Sequence, residues 1–305
     1  MIYVVLAVVA SVTAGVAAER RSSTGAQRLG RRTLDVMLYV LVPFVTFFNI
    51  AHLHITRGVG VGIGLGYAEL AVVGIAAWVI GERVLRLSRP VTGALICATV
   101  LANTGYLGLP LAVALLGPRQ LGTAIAFDTL VSAPMLLFVG FAVGAAFGGH
   151  AGDTRGERVR AYFARNPPLL AVAAGLLAPR SLAPALLVSA SHVVVFALLP
   201  LGFFTLGINL AGESDEGVVG FPPRLTAPIA TVLGLRLLAA PALMLILSAL
   251  VVAAPAAYLL QAAMPCGINS LIVAHAYGLD LRLVAGALAW STAVVMVVGL
   301  VVTNV

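Results

Sequence analysis

Two polar clusters interrupt what would otherwise be ordinary apolar helices. One is ANTGYLGLP at 102–110, which places Asn103, Thr104, Gly105, Gly108 and Pro110 in the middle of a long hydrophobic run. The other is MPCGIN at 264–269, which brings in Pro265, Gly267 and Asn269. Gly lowers helix stability by about 1 kcal/mol against Ala, and Pro by about 3 kcal/mol. Asn and Thr side chains bond the local backbone in competition with the helix. Each cluster therefore unwinds its helix and bares peptide dipoles. In hydrocarbon an unpaired N–H or C=O costs several kcal/mol, so a break is tolerated only where protein or water re-satisfies it. Two half-helix amino ends, each partly positive, are then able to face one anionic ligand. A Pro kink packed against its neighbours is the plainer reading of either break alone. Two breaks at matching places in two repeats favour a binding site.

Three ionisable residues also lie inside apolar runs: Glu69, Asp128 and Arg236. A charge at the centre of a membrane helix costs about 2.5–3.5 kcal/mol on insertion scales, so each must face protein or water, pair, or be neutralised. For Asp128 and Glu69, a transport role as proton carrier or cavity wall stands level with a structural role beside a helix end or an Asn. Arg236 is placed to balance a carboxylate or bind substrate; snorkelling or a structural ion pair is at least as good a reading. His52 and His54 read as solvated, and His192 and His275 as satisfied core histidines rather than switches. Cys97 and Cys266 read as packing residues, because two thiols without a Cys/His cluster make neither a disulfide framework nor a zinc site. The series Gly58, Gly60, Gly62, Gly64 and Gly66 contains GxxxG spacing, which permits close helix approach. All 18 basic residues are Arg, which excludes a Walker A loop and Schiff-base or Ser-Lys chemistry. No HExxH or GxSxG occurs, so an enzyme is not expected, and neither is a metal or cofactor.

Composition fixes the setting for these residues. The 305 residues are 61% hydrophobic and 10% charged, with a mean hydropathy of +1.09. A soluble domain carries roughly a quarter charged residues, and disorder requires low hydrophobicity. Both are excluded. The net charge of +7 therefore concerns membrane orientation rather than nucleic acid. Apolar runs near 2–18, 34–55, 59–81, 91–116, 121–147, 167–179, 183–212, 225–251, 254–277 and 281–303 make ten candidate spans. The sixth has 13 residues, short against the roughly 17–25 that a span takes. No charge precedes the first run and Arg20, Arg21, Arg28, Arg31 and Arg32 follow it. It therefore reads as a span with its amino end outside, not as a cleaved leader. With ten spans, the loops 19–33, 82–90, 148–166, 213–224 and 278–282 are cytoplasmic and hold 14 of the 18 arginines, as the positive-inside rule requires. Arg57, Arg119 and Arg180 fall outside.

An internal repeat points the same way. Pro43, Phe47, Phe48 and Asn49 in the second span parallel Pro200, Phe203, Phe204 and Asn209 in the seventh, and the broken spans are the fourth and the ninth. Five spans per unit invert the second unit relative to the first, which is the plan of secondary transporters.

The segments LANTGYLGLPLAV (101–113) and QAAMPCGINSLIVAHAYGLD (261–280) resemble the fourth- and ninth-span patterns of the auxin efflux carrier family. The resemblance implies a bile-acid/sodium-symporter-like fold, with a scaffold part and a mobile crossover part, outer termini and homodimers. It implies that Asn103 and Thr104 sit at the first crossover, shaped by Gly108 and Pro110. Pro265 and Gly267 then make the second, flanked by Gln261 and Tyr277. It also implies cargo such as the auxin anion or a malate- or malonate-type carboxylate. Plant carriers have Pro where this chain has Ala102, and Lys where it has Val73; both departures count against auxin itself.

The sequence thus predicts an all-α polytopic protein of ten transmembrane helices. A first five-helix repeat (1–147) and a second, inverted one (167–305) are joined by a cytoplasmic linker (148–166). The predicted function is secondary active transport of a small organic anion across the plasma or inner membrane, by alternating access, with H+ or Na+ as the open choices of coupling ion. A channel or a non-transporting membrane protein of the same fold is the alternative.

Overall fold

Segments this apolar satisfy their backbone internally, and helices do so within one stretch of chain. The computed structural model describes residues 2–51, 60–150, 154–164, 166–179, 182–215 and 223–304. His52, His54, Arg57, Gly58, Arg180 and most of the 213–224 loop lie outside the described residues, as do the side chains of Asn49 and His192.

Helix α1 (Ile2–Arg21) ends on Arg20 and Arg21, basic side chains at the negative end of its dipole. After Ser22 the chain enters α2 (23–51), which contains a wide π-type turn at Met37–Leu41. Helix α3 (60–84) follows, and then α4 (Arg89–Val100), with Pro90 in its first turn. Helix α5 (104–116) opens on a π-type turn, Thr104–Gly108, and places Pro110 in the first turn of its regular part. Helix α6 (121–147) has two such turns, Asp128–Ser132 and Met135–Gly140. The short α7 (Arg155–Ala164) lies in the linker.

Helix α8 (Pro167–Leu177) is capped by Asn166, whose Oδ1 accepts the Leu169 N–H at 3.1 Å. At 11 residues it rises about 16 Å. Helix α9 (Ala185–Asp215) runs unbroken through Pro200. Helix α10 (227–250) contains the π-type turn Gly234–Ala239. The last three are α11 (Ala256–Ala262), α12 (Asn269–Tyr277) and α13 (Leu281–Asn304). Gly278 ends α12 at φ 69°, the left-handed geometry that favours Gly.

The helices pack as two groups. In the first, α1 lies along α9, α8 along the second half of α2, and α9 against α2. A Cβ on Gly15 would overlap Phe204 O and one on Gly207 would overlap Val12 O, so α1 and α9 meet backbone to backbone. In the second group, α3 packs on α4 and α10, α13 on α4, α10 and α12, and α11 on α6. Every residue of α4 from Thr92 to Val100 is buried, which explains why that segment is apolar all round. The groups touch where α12 meets α2 and where α9 meets α5 and α13.

Outward faces are apolar as well: Ile75, Leu238 and Val297 are 60%, 70% and 61% exposed. A soluble protein does not carry such a surface. Among the described residues, Val61–Val84, Thr123–Phe147, Ala227–Leu250 and Leu281–Val302 are each long and apolar enough to cross a bilayer.

Candidate functional site

The two polar clusters meet. Residues 101–103 and 265–267 run antiparallel: the Asn103 N–H donates to Pro265 O at 2.8 Å and the Gly267 N–H to Leu101 O at 2.6 Å, with Ala102 opposite Cys266. Each break satisfies backbone groups that the other leaves bare, as a break in an apolar interior must. A Cβ on Gly267 would stand 2.8 Å from Leu101 O and 2.9 Å from Ala102 O, so this approach needs Gly. The Cys266 N–H is taken by Ser291 Oγ of α13 at 3.1 Å.

Behind the crossing, α4 and α11 end with their carbonyls facing one side chain. Arg236 donates from Nε to Met264 O at 3.1 Å, from Nη1 to Thr99 O at 3.3 Å and from Nη2 to Ala262 O. Its guanidinium lies 3.7 Å from Glu69 Oε1, and both side chains are buried. A fixed cation thus sits at the negative ends of two half-helices, with Glu69 as its counter-charge. Gln261 adds a second tie: its Nε2 donates to Thr104 O at 3.3 Å and Ala124 O at 3.2 Å. A Cβ on Gly108 would collide with its Oε1.

In front of the crossing lies a cavity of about 120 Å³, walled by Asn103, Thr104, Gly105, Asp128, Gly267 and Asn269, and by Val42, Val45 and Thr46 of α2. Thr104 Oγ1 donates to Asp128 Oδ1 at 2.5 Å. Both polar atoms of the Asn103 amide and Oδ1 of Asn269 are buried without a hydrogen-bond partner. A buried polar group left unpaired costs about 1–3 kcal/mol, and native proteins rarely leave one without a purpose.

Residues 165–303 match the family described as membrane transport protein. An uncharacterized transporter of Methanocaldococcus jannaschii is 26% identical over 271 residues, covering 83% of this chain and 82% of that protein. The second half of the chain thus resembles a family of membrane transport proteins, and most of its length is similar to a transporter.

The residues singled out from the sequence fall into three places. Asn103, Thr104, Gly105, Gly267, Asn269 and Asp128 wall the cavity. Gly108, Pro110, Pro265, Gln261, Arg236 and Glu69 shape or brace the crossing around it. Tyr277 lies apart, at the far end of α12. It is packed on Phe141 and Gly144 of α6, with its hydroxyl donating to Tyr162 O at 3.4 Å. His275 faces Asp35 Oδ1 at 3.0 Å, and so ties α12 to α2.

Sequence reasoning passed over Thr46 and Ser132, polar residues of the cavity wall that look like ordinary helical residues in an apolar run. Their signal is position alone: Thr46 shares the second span with Pro43, and Ser132 comes one turn after Asp128. It also passed over the π-type turns that carry Asp128 and Arg236. Such wide turns cluster at functional sites, but no residue type announces them.

Proposed function

We propose that the protein is a secondary active transporter of a small organic anion, and that the cavity in front of the crossing holds the cargo. The carrying observation is the buried Asn103 amide, with neither polar atom partnered, and the unpartnered Oδ1 of Asn269, one residue from each break, at a shared cavity. The Asn103 Nδ2 N–H groups suit a carboxylate. The volume, about 120 Å³, suits a mono- or dicarboxylate of a few heavy atoms better than an indole acid.

The proposed architecture is ten spans in two inverted five-helix repeats, 1–147 and 167–305, in the plasma or inner membrane with both termini outside. The near-symmetric pairing of 101–103 with 265–267 supports it. So does the placing of one break on each side of the linker. The group α1, α2, α8 and α9 is the scaffold, and the group that contains the crossing moves against it, exposing the cavity to either side in turn.

Asp128 suggests the driving ion. An ionised carboxylate and an anionic cargo in so small a cavity repel each other strongly. A proton travelling with the anion removes that repulsion, which favours H+ over Na+ as the coupling ion.

The test is counterflow of labelled malonate or malate in proteoliposomes. A carrier saturates and exchanges; a pore does neither. Asn103→Ala should abolish exchange with little change in folded yield, and wild-type exchange in that variant would refute the site. Asp128→Asn should leave exchange independent of an imposed pH gradient; an unchanged response to the gradient would remove the proton role.

A further inference from the structure

A second, larger cavity of about 430 Å³ opens at the end of the molecule where α2 begins and α12 hands over to α13. Two arginines line it from different helices, Arg31 on α2 and Arg282 in the first turn of α13, beside Asn209 and His275. The amino end of the 24-residue α13 opens onto it, since Leu281 and Arg282 are lining residues, and that end is partly positive. One acid, Asp280, also lines the space, with its Oδ1 accepting the Leu283 N–H at 2.8 Å, so the two arginines leave the lining a net positive charge. A second, Glu19, is buried behind the wall, where its Oε1 accepts from Ser23 and Gln27.

This cavity is in line with the crossing. Helix α2 gives Arg31 and Leu34 to it and Val42, Val45 and Thr46 to the smaller one, while α12 gives His275 to it and Asn269 to the smaller one. Leu34 and Val42 are about 12 Å apart along the helix. Between the two cavities along these helices lie Met37, Leu38 and Ile272, all buried, and the Asp35–His275 contact.

We propose that the Arg31–Arg282 cavity is a second anion-binding site, an anteroom that holds the same carboxylate on its way to or from the crossing. This rests on the reading of the protein as an organic-anion carrier. Guanidinium matches a carboxylate with two parallel hydrogen bonds, and a dicarboxylate has one carboxylate for each of the two arginines that line the cavity. Inorganic phosphate offers similar oxygens, so it serves as the control anion. Arg31 and Arg282 are both exposed, and Gln keeps hydrogen-bonding capacity at each position while removing the charge.

The experiment is thermal unfolding of the purified full-length chain against rising malonate, with phosphate in parallel, for the wild type, Asn103→Ala, Arg31→Gln/Arg282→Gln and the triple variant. The expected result is that Asn103→Ala still gains melting temperature with malonate, and that the triple variant needs at least about tenfold more malonate for the same gain. Loss of the whole response in Asn103→Ala, with a wild-type response in Arg31→Gln/Arg282→Gln, would overturn the anteroom and leave the crossing as the sole site. A response in the triple variant at the same malonate concentrations as in Asn103→Ala, or no response in any form, would also overturn it. So would phosphate acting as well as malonate in Asn103→Ala, since the cavity would then be a general oxyanion mouth rather than a cargo site.

Discussion

Arg236 and Glu69 are a pair of unequal members. The guanidinium donates to three backbone carbonyls from two broken helices as well as facing Glu69, whereas both Glu69 carboxylate oxygens lack a hydrogen bond. Removing one partner of a buried ion pair costs about 3–5 kcal/mol, and here the loss of Arg strips the carbonyls too. Arg236→Ala is therefore expected to lower the melting temperature in detergent well below that of Glu69→Gln, and Arg236→Lys to recover only part of the loss because it cannot reproduce the fork. Equal effects of Arg236→Ala and Glu69→Gln would show that the carbonyl contacts contribute little. Asn103, Gly267 and Asn269 were legible in the sequence because breakers have no business in an apolar run. Arg236 was legible as an anomaly but not as a brace, since its partners Thr99, Ala262 and Met264 contribute backbone oxygens that every residue type possesses. Tyr277 was set beside the crossing by the family resemblance, yet the run of α12 from Asn269 to Tyr277 carries it away.

At the scale of helices, the apolar segments were readable because hydrophobic length is a sum over many residues. What the sum cannot register is a turn widened by one residue, as at Met37–Leu41 and Asp128–Ser132, or a helix as short as α8. Close approaches are different, because Gly marks them. Gly207 on α9 faces Gly15 on α1, and a side chain on either would enter the other backbone. Gly207→Leu is expected to destabilise the fold by about 1–3 kcal/mol or more through overpacking, seen as a lower unfolding temperature. Gly64→Leu, at a position with open space around it, is the matched control and should change little.

For the molecule as a whole, the relation between the two helix groups matters most. The Asp35–His275 contact is a side-chain tie from α2 to α12, across the boundary where the groups are proposed to move. Cys placed at both positions and joined by a reducible bifunctional thiol reagent should stop malonate counterflow, and reduction should restore it. The native thiols Cys97 and Cys266 are buried, away from the reagent. Full counterflow while the bridge is intact would mean that α2 and α12 do not need to separate. The two groups themselves were not legible in the sequence: they depend on which helices touch, and hydropathy records only that each helix is covered by something apolar.

The mutual pairing of 101–103 with 265–267 has a consequence for inheritance. Leu101 O and the Gly267 N–H find their bonds across the linker, so neither side of the chain is a finished object. A lone front or rear portion would carry a raw seam at its middle, which only its opposite number closes. Two such portions can drift, lengthen their tether or part into separate genes, but they remain bound to be made together.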